Sequence, residues 1–255
     1  MMKQKCLRKF YNYCNEYYAQ KKMLTNIDQF ELLKKYCTNK QRCFVIGNGP
    51  SLISDDLDLL KNEITFVCNR FFNIYDSWIP TVYFCQDPTV MKNNVNQIKA
   101  YSAKFKMINP HLRLRRKMDF GDNCIFYRVN RKKCFKGETP DISNDMKDGL
   151  DEGYTVTFSM IQTAILLGFQ EIYLLGVDFN YVIKDGRIDE SSYPKGMEKT
   201  AGGGLPNLQY NLKAFEIASL YCKNHGVDII NLSRNTKLDV FPKGILKEIL
   251  SEKEE

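Results

Sequence analysis

The pentapeptide Gly47-Asn48-Gly49-Pro50-Ser51 follows an apolar run and precedes a leucine-spaced segment, residues 52–60. Two glycines after a strand permit a tight turn and let backbone approach a ligand closely. A helix starting just beyond would add unpaired N–H groups and the positive end of its dipole, which suits a phosphate. Asn48 contributes a side-chain amide, and Ser51 is placed to cap the helix. The turn lacks the Lys-Ser/Thr ending of a Walker loop and the third glycine of a dinucleotide fingerprint. Taken alone it is either a ligand turn or an ordinary strand-to-helix connection.

Two further places repeat this arrangement. Cys68-Asn69-Arg70 closes the next apolar run, so Asn69 is placed to hold a base or ribose, or simply to end a strand. Asp178 closes the run 171–177, where a carboxylate orients a sugar hydroxyl or fixes the segment after it. That segment, 178–209, is rich in Gly, Ser and Pro and carries Tyr181 and Tyr193. Phenols donate to a leaving phosphate without adding charge and without a metal, although tyrosines in such a segment also simply pack. Asp56-Leu57-Asp58 resembles a cation-binding DxD, but among Leu52, Leu57 and Leu60 it reads as the solvated face of a helix, so no metal is expected. His111 and His225, the only two histidines, support neither a Ser-His-Asp nor a Cys-His assignment.

The elements that must position these residues alternate. Residues 1–40 show helical spacing of Tyr, Phe and Leu. Strands are expected at 41–46, 64–68, 81–85, 105–108, 124–127, 171–177 and 227–231, and helices at 52–60, 157–167 and 208–224. Strand and helix in alternation predict an α/β fold, a mostly parallel sheet covered on both faces. Its carboxyl edge is where ligands bind, and Gly47, Asn69 and Asp178 all fall there. A long connection such as 178–209 reads as a lid or binding loop, about 179–207. The expected organisation is a helical arm (1–40), an α/β domain (41–235) and a C-terminal tail (236–255).

With 255 residues, 44% of them hydrophobic and 26% charged, the chain is of ordinary globular composition. The longest apolar run, 160–167, is too short to span a bilayer. The basic, aromatic N-terminus has no apolar signal region. Nine scattered cysteines form no CxxC pair, which suits a reducing compartment. The expected location is therefore the cytoplasm. Between Lys104 and Lys136 eleven Lys and Arg face two Asp, a local 11 − 2 = +9 against +7 for the chain. This basic segment is either a solvated surface or a contact for an anionic membrane or a phosphorylated acceptor. No nucleic-acid-binding signature accompanies it. An oligomer is compatible with the sequence.

The segments CFVIGNGPSL, FVCNRFF and QEIYLLGVDFNY, in that order, resemble the bacterial sialyltransferases of glycosyltransferase family 42. They also resemble the wider hydroxymethylpterin-diphosphokinase-like domains, the domain of unknown function number 115, across about residues 43–231. The resemblance implies a Rossmann-like sheet with a lid and a CMP-activated, nonulosonate-like sugar donor as substrate. It further implies inverting transfer without metal or cofactor, to a glycan or lipid-linked acceptor in surface polysaccharide synthesis. Gly47, Asn48, Gly49, Pro50 and Ser51 would then form the donor-phosphate turn, and Asn69 with Arg70 the donor contact after the second strand. Asp87 falls where those enzymes have an Asn. Thr155, with Thr157, falls at their base-binding turn, and Tyr181 and Tyr193 fall near the tyrosines that stabilise the departing phosphate. Asp178 would join them as a catalytic group. The histidine of those enzymes falls near Pro206, and here there is none. Asp178, Asp189, Glu190 and Glu198 are the alternatives for a general base. The alternative activities are an ATP-dependent diphosphokinase, with Asp87 and Asp178 on Mg²⁺, and a nucleotide- or glycan-binding protein without catalysis.

Overall fold

The computed structural model describes residues 2–194, 205 and 207–251, and these described residues build eleven strands and eight α-helices. Helices α1 (Met2–Leu24) and α2 (Asp28–Cys37) come first. Strand β1 (Arg42–Ile46), helix α3 (Ser54–Leu59), strands β2 (Thr65–Cys68) and β3 (Val82–Cys85) and helix α4 (Pro88–Ala100) follow. Next are β4 (Phe105–Ile108), β5 (Cys124–Phe126), β6 (Val129–Asn130), α5 (Lys132–Lys136), β7 (Leu150–Asp151), α6 (Val156–Leu166) and β8 (Glu171–Leu175). The chain ends with β9 (Ile183–Lys184), β10 (Arg187–Ile188), α7 (Leu208–His225), β11 (Asp228–Asn231) and α8 (Leu246–Ser251).

Seven strands form one sheet in the order β11-β8-β1-β2-β3-β4-β5, and every pairing in it is parallel. This is the expected fold class. The chain winds outward from β1 through β5, then returns to the other side of β1 for β8 and β11. The connections leaving β1 and β8 therefore diverge, and a crevice opens at the carboxyl ends of these two strands. Ile46 pairs with Leu175, so Gly47 and Gly176 meet at its base.

Alternation along each strand divides the core into two layers. Cys43, Val45, Phe66 and Leu174 pack under α2, α6 and α7, with Phe30, Leu33, Phe158 and Phe215. Phe44, Ile46, Val67 and Leu175 pack on the other face, with Leu57, Met91, Ile98 and Leu246 from α3, α4 and α8. The strands are buried on both faces, and so read as continuous apolar runs in the sequence.

Several expectations change. Ser51 does not cap the next helix, which starts at Ser54 behind Ile53. Asp56 is not on a solvated face. It is 3% exposed and takes both terminal nitrogens of Arg234, at 2.6 and 2.7 Å, while Asp58 lies outside and pairs with Lys61. Helix α4 is not announced by periodicity. Asp87 caps it through the Thr89 N–H at 2.7 Å, and Pro88 takes the first position, where its missing N–H costs nothing. The segment expected as a tail packs instead. Leu238 and Phe241 join one core layer and Leu246 the other.

The basic segment is only partly a surface. The Lys106 ammonium is bound by the Lys99 carbonyl, Arg131 pairs with Glu152, and Lys133 pairs with Asp141 and Asp151. Lys104, Lys132 and Lys136 are exposed, as are Arg115, Arg116 and Lys117 of the 3₁₀ turn Leu112–Lys117. His111, just before it, is buried, with Nδ1 3.4 Å from the Tyr11 hydroxyl of α1. Burial, reinforced by Arg131 and Arg113, lowers its pKa from 6.5 to about 4. On acidification the unfolded chain therefore takes up this proton first. Stability should fall as pH drops from about 6.5 to about 4, and not above that window. Urea denaturation across this range should show a shallower loss for His111→Phe than for the parent.

Candidate functional site

A cavity of about 540 Å³ opens at the crevice. Gly47, Asn48, Gly49 and Pro50 form one wall, Asn69 and Arg70 the next, and Asp87 with Thr155 and Thr157 the far side. Tyr181 and Tyr193 also line it, and Asp178 stands directly against the turn. Twelve of the thirteen residues picked from the sequence thus line one cavity. The exception is Ser51.

The turn is braced from below rather than open to a ligand. Gly47 N–H donates to the Leu175 carbonyl and Gly49 N–H to the Gly176 carbonyl, both at 2.7 Å. Ser51 N–H donates to Asp178 Oδ2 at 2.8 Å, and the Ser51 hydroxyl donates to Oδ1 of the same carboxylate. Leu52 N–H turns back to Gly49. The N–H groups of Gly47, Gly49, Ser51 and Leu52 are therefore spent inside the protein, and α3 is a short helix of six residues set off from the turn. Close approach is what requires the glycines. A Cβ on Gly49 would lie 2.5 Å from Asp178 Cγ, and one on Gly47 2.5 Å from the Gly176 carbonyl oxygen.

The cavity instead receives side-chain amides. Asn48 Nδ2 donates to the Cys68 carbonyl at 3.1 Å, which ties the first turn to the second strand. Its Oδ1 is buried without a partner, as is Oδ1 of Asn69. Asn69 is held by its backbone. Its φ is 54°, a left-handed conformation that Asn tolerates better than most residues. Its N–H donates to Phe84, and its carbonyl accepts from the buried Tyr83 hydroxyl at 2.6 Å. Asn180, whose Nδ2 donates to the Asn235 carbonyl at 2.6 Å, adds a third such oxygen to the cavity lining. A buried amide oxygen lacking a donor is costly, so three of them on one cavity point to a ligand that brings donors. Thr155 caps α6 through Thr157 N–H at 3.3 Å, while Asp87 caps α4.

Asp178 does not have the free carboxylate expected of a catalytic group. Burial raises its pKa, and the two bonds from Ser51 oppose that shift. The tyrosines do meet. The Tyr181 and Tyr193 rings lie edge to face with centroids 6.4 Å apart. Burial, then proximity to Tyr193, raises the Tyr181 phenol well above its usual pKa. Burial raises Tyr193 as well, against the pull of Arg70. Both are therefore neutral donors at physiological pH.

Of the other proposed bases, Asp189 is partly buried and paired with Lys184, and with Ser191 this lowers its pKa to about 2. The Glu190 side chain, Glu198 and the glycines 202–204 lie outside the described residues. The sequence reading misses the Arg131–Glu152 pair, which lines the cavity. The residues are 21 apart and meet because β6 and β7 pair in parallel, with Asn130 opposite Asp151. Glu152 also accepts from Gln86 Nε2 at 3.4 Å, and Gln86 Oε1 takes the hydroxyls of Ser159 and Tyr127 at 2.8 and 3.3 Å. No local pattern signals that network.

Residues 15–184 match the family model described as 6-hydroxymethylpterin diphosphokinase MptE-like. The chain belongs to this family. No curated protein matches the chain. Among solved structures, it is similar to the monofunctional α-2,3-sialyltransferase Cst-I from Campylobacter jejuni, at 21% identity over 82% of each chain with a TM-score of 0.46. It is also similar to the sialyltransferase CstII from Campylobacter jejuni in complex with the substrate analogue CMP-3FNeuAc, at 18% identity over 80% of this chain and 85% of that one, TM-score 0.43.

Gly49→Ala tests the brace. Its Cβ has no room unless Asp178 or Gly176 gives way, and such overpacking costs about 1–3 kcal/mol. Thermal denaturation should show the loss.

Proposed function

We propose that the protein is a transferase acting on a nucleotide-activated sugar, with a CMP-linked, nonulosonate-like donor as its substrate. The observation that carries this reading is the set of three partnerless buried amide oxygens, on Asn48, Asn69 and Asn180, lining one cavity with two neutral tyrosines. The amides hold the nucleoside by hydrogen bonding, with Thr155 and Thr157 on the far wall. Tyr181 and Tyr193 donate to the phosphate oxygen as the bond to the sugar breaks. Their stabilisation grows as negative charge develops there, which is the interaction that accelerates a reaction.

Transfer is inverting in this reading. An acceptor hydroxyl attacks the anomeric carbon from the face opposite the departing phosphate, and its proton passes to a base. Asp178 is braced on Ser51 and Asp87 caps α4. Glu152 is engaged as well, by Arg131 and Gln86, so this reading assigns the base to none of the described cavity carboxylates in their present bonding. No metal or cofactor takes part, and the acceptor is a glycan or a lipid-linked saccharide of surface polysaccharide synthesis.

The family description favours one other reading, diphosphate transfer from ATP to a pterin. That chemistry uses Mg²⁺ bridged to phosphates by carboxylates. Asp87 and Asp178 are the cavity residues that would do so, and Asp178 would first have to release Ser51.

Thermal shift separates the two. Near 100 Kd of ligand, binding adds about 2.7 kcal/mol, or several degrees for a domain of this size. CMP and CDP should produce that shift without divalent cation. A shift with ATP and Mg²⁺ and none with cytidine nucleotides would replace this reading with the second. With CMP-N-acetylneuraminic acid as probe, Tyr181→Phe and Tyr193→Phe should each slow donor turnover about 10²-fold while keeping the CMP shift. Loss of the shift instead would make these residues binding groups.

A further inference from the structure

Helix α1 packs on the domain through Asn15, Ala19 and Met23, one stripe at four-residue spacing. The opposite side is apolar too, and bare. Leu7, Phe10, Tyr13, Tyr17 and Leu24 recur at helical spacing, and Phe10 and Tyr13 are 66% and 69% exposed. A soluble helix has its second face polar, so this stripe requires a partner. Between Met2 and Leu24 the sequence carries six Lys and Arg and one acidic residue, Glu16. The exposed Arg115, Arg116 and Lys117 of the 3₁₀ turn add to this, because that turn packs against α1. The Leu112 N–H bonds Asn15, and Arg113 lies over the Tyr11 ring at 4.4 Å.

We infer that α1 and the turn Leu112–Lys117 form a docking surface for an anionic lipid bilayer, with α1 lying in the plane of the interface. Length and polarity fit. A helix of 23 residues spans about 34 Å, yet among the described residues none is long and apolar enough to cross a membrane. The exposed rings are mainly phenolic, the kind that settle where hydrocarbon meets headgroup. Lys21 lies over the Tyr17 ring, a cation at the same level. Charge decides between partners. Two copies of this chain pairing along α1 would bring the same cationic face together, whereas an anionic bilayer neutralises it.

The turn Leu112–Lys117 follows β4 at the carboxyl edge of the sheet, the edge on which the cavity opens. Docking there would bring a lipid-borne acceptor to the site. That consequence rests on the transferase reading, and vesicle binding does not.

The test is co-sedimentation of the full chain with phosphatidylcholine vesicles, with and without phosphatidylglycerol. Binding should require phosphatidylglycerol and weaken as salt rises. Phe10→Ser/Tyr17→Ser removes two exposed rings. It should weaken binding at least about tenfold with melting temperature unchanged. Should that variant melt early, Arg115→Gln/Arg116→Gln carries the same test through the charge. Equal binding to neutral and anionic vesicles, no binding to either, or unchanged binding in the variants would overturn the inference. So would a dimer in analytical ultracentrifugation that Phe10→Ser/Tyr17→Ser converts to monomer, since the stripe would then be a contact between copies.

Discussion

The Asp178 carboxylate grips Ser51 twice, through its N–H and its hydroxyl, and in doing so ties the connection leaving β8 to the turn leaving β1. These two strands are where the winding of the sheet reverses, and their connections would otherwise diverge. With Gly47 and Gly49 stacked against the Gly176 backbone, the crevice gains a rigid floor. Asn48 is then held at the Cys68 carbonyl, and Asn69 stands beside it. The cost is a carboxylate kept largely out of water. Without the two bonds from Ser51, burial alone would push it further toward its neutral form.

This brace changes what the turn does. A glycine turn before a helix suggests a phosphate cradle of backbone N–H groups, and here those groups face inward. Beside its charged residues, the cavity presents side-chain amides, threonines at a helix start and phenols in an aromatic edge-to-face pair. The charged residues at the wall are themselves held, Arg131 by Glu152 and Glu152 by Gln86. A pocket of this kind selects its ligand by where donors and acceptors fall.

The sheet was legible in the sequence because its strands are buried on both faces and so read as short apolar runs ended by Gly, Asn or Asp. The same physics made Gly47, Asn69 and Asp178 legible as a single edge. What escaped depends on partners far along the chain. Asp56 looks like a surface carboxylate until Arg234, 178 residues later, reaches it. Arg131 looks like one more charge in a basic segment until β6 pairs with β7. Helix α4 carries Asn, Lys and Gln through most of its length and is kinked at Asn94, so its apolar positions are sparse. Ser51 was legible as a polar residue of the turn, but its partner was not, and the partner decides its role.

The most direct test is a crystal structure of the chain with CMP bound. On this account both Asp178 oxygens stay on Ser51, and the nucleotide donates hydrogen bonds to the side-chain oxygens of Asn48 and Asn69, with its phosphate toward Tyr181 and Tyr193. A phosphate seated on the backbone N–H of Ser51, with Asp178 displaced, would contradict it.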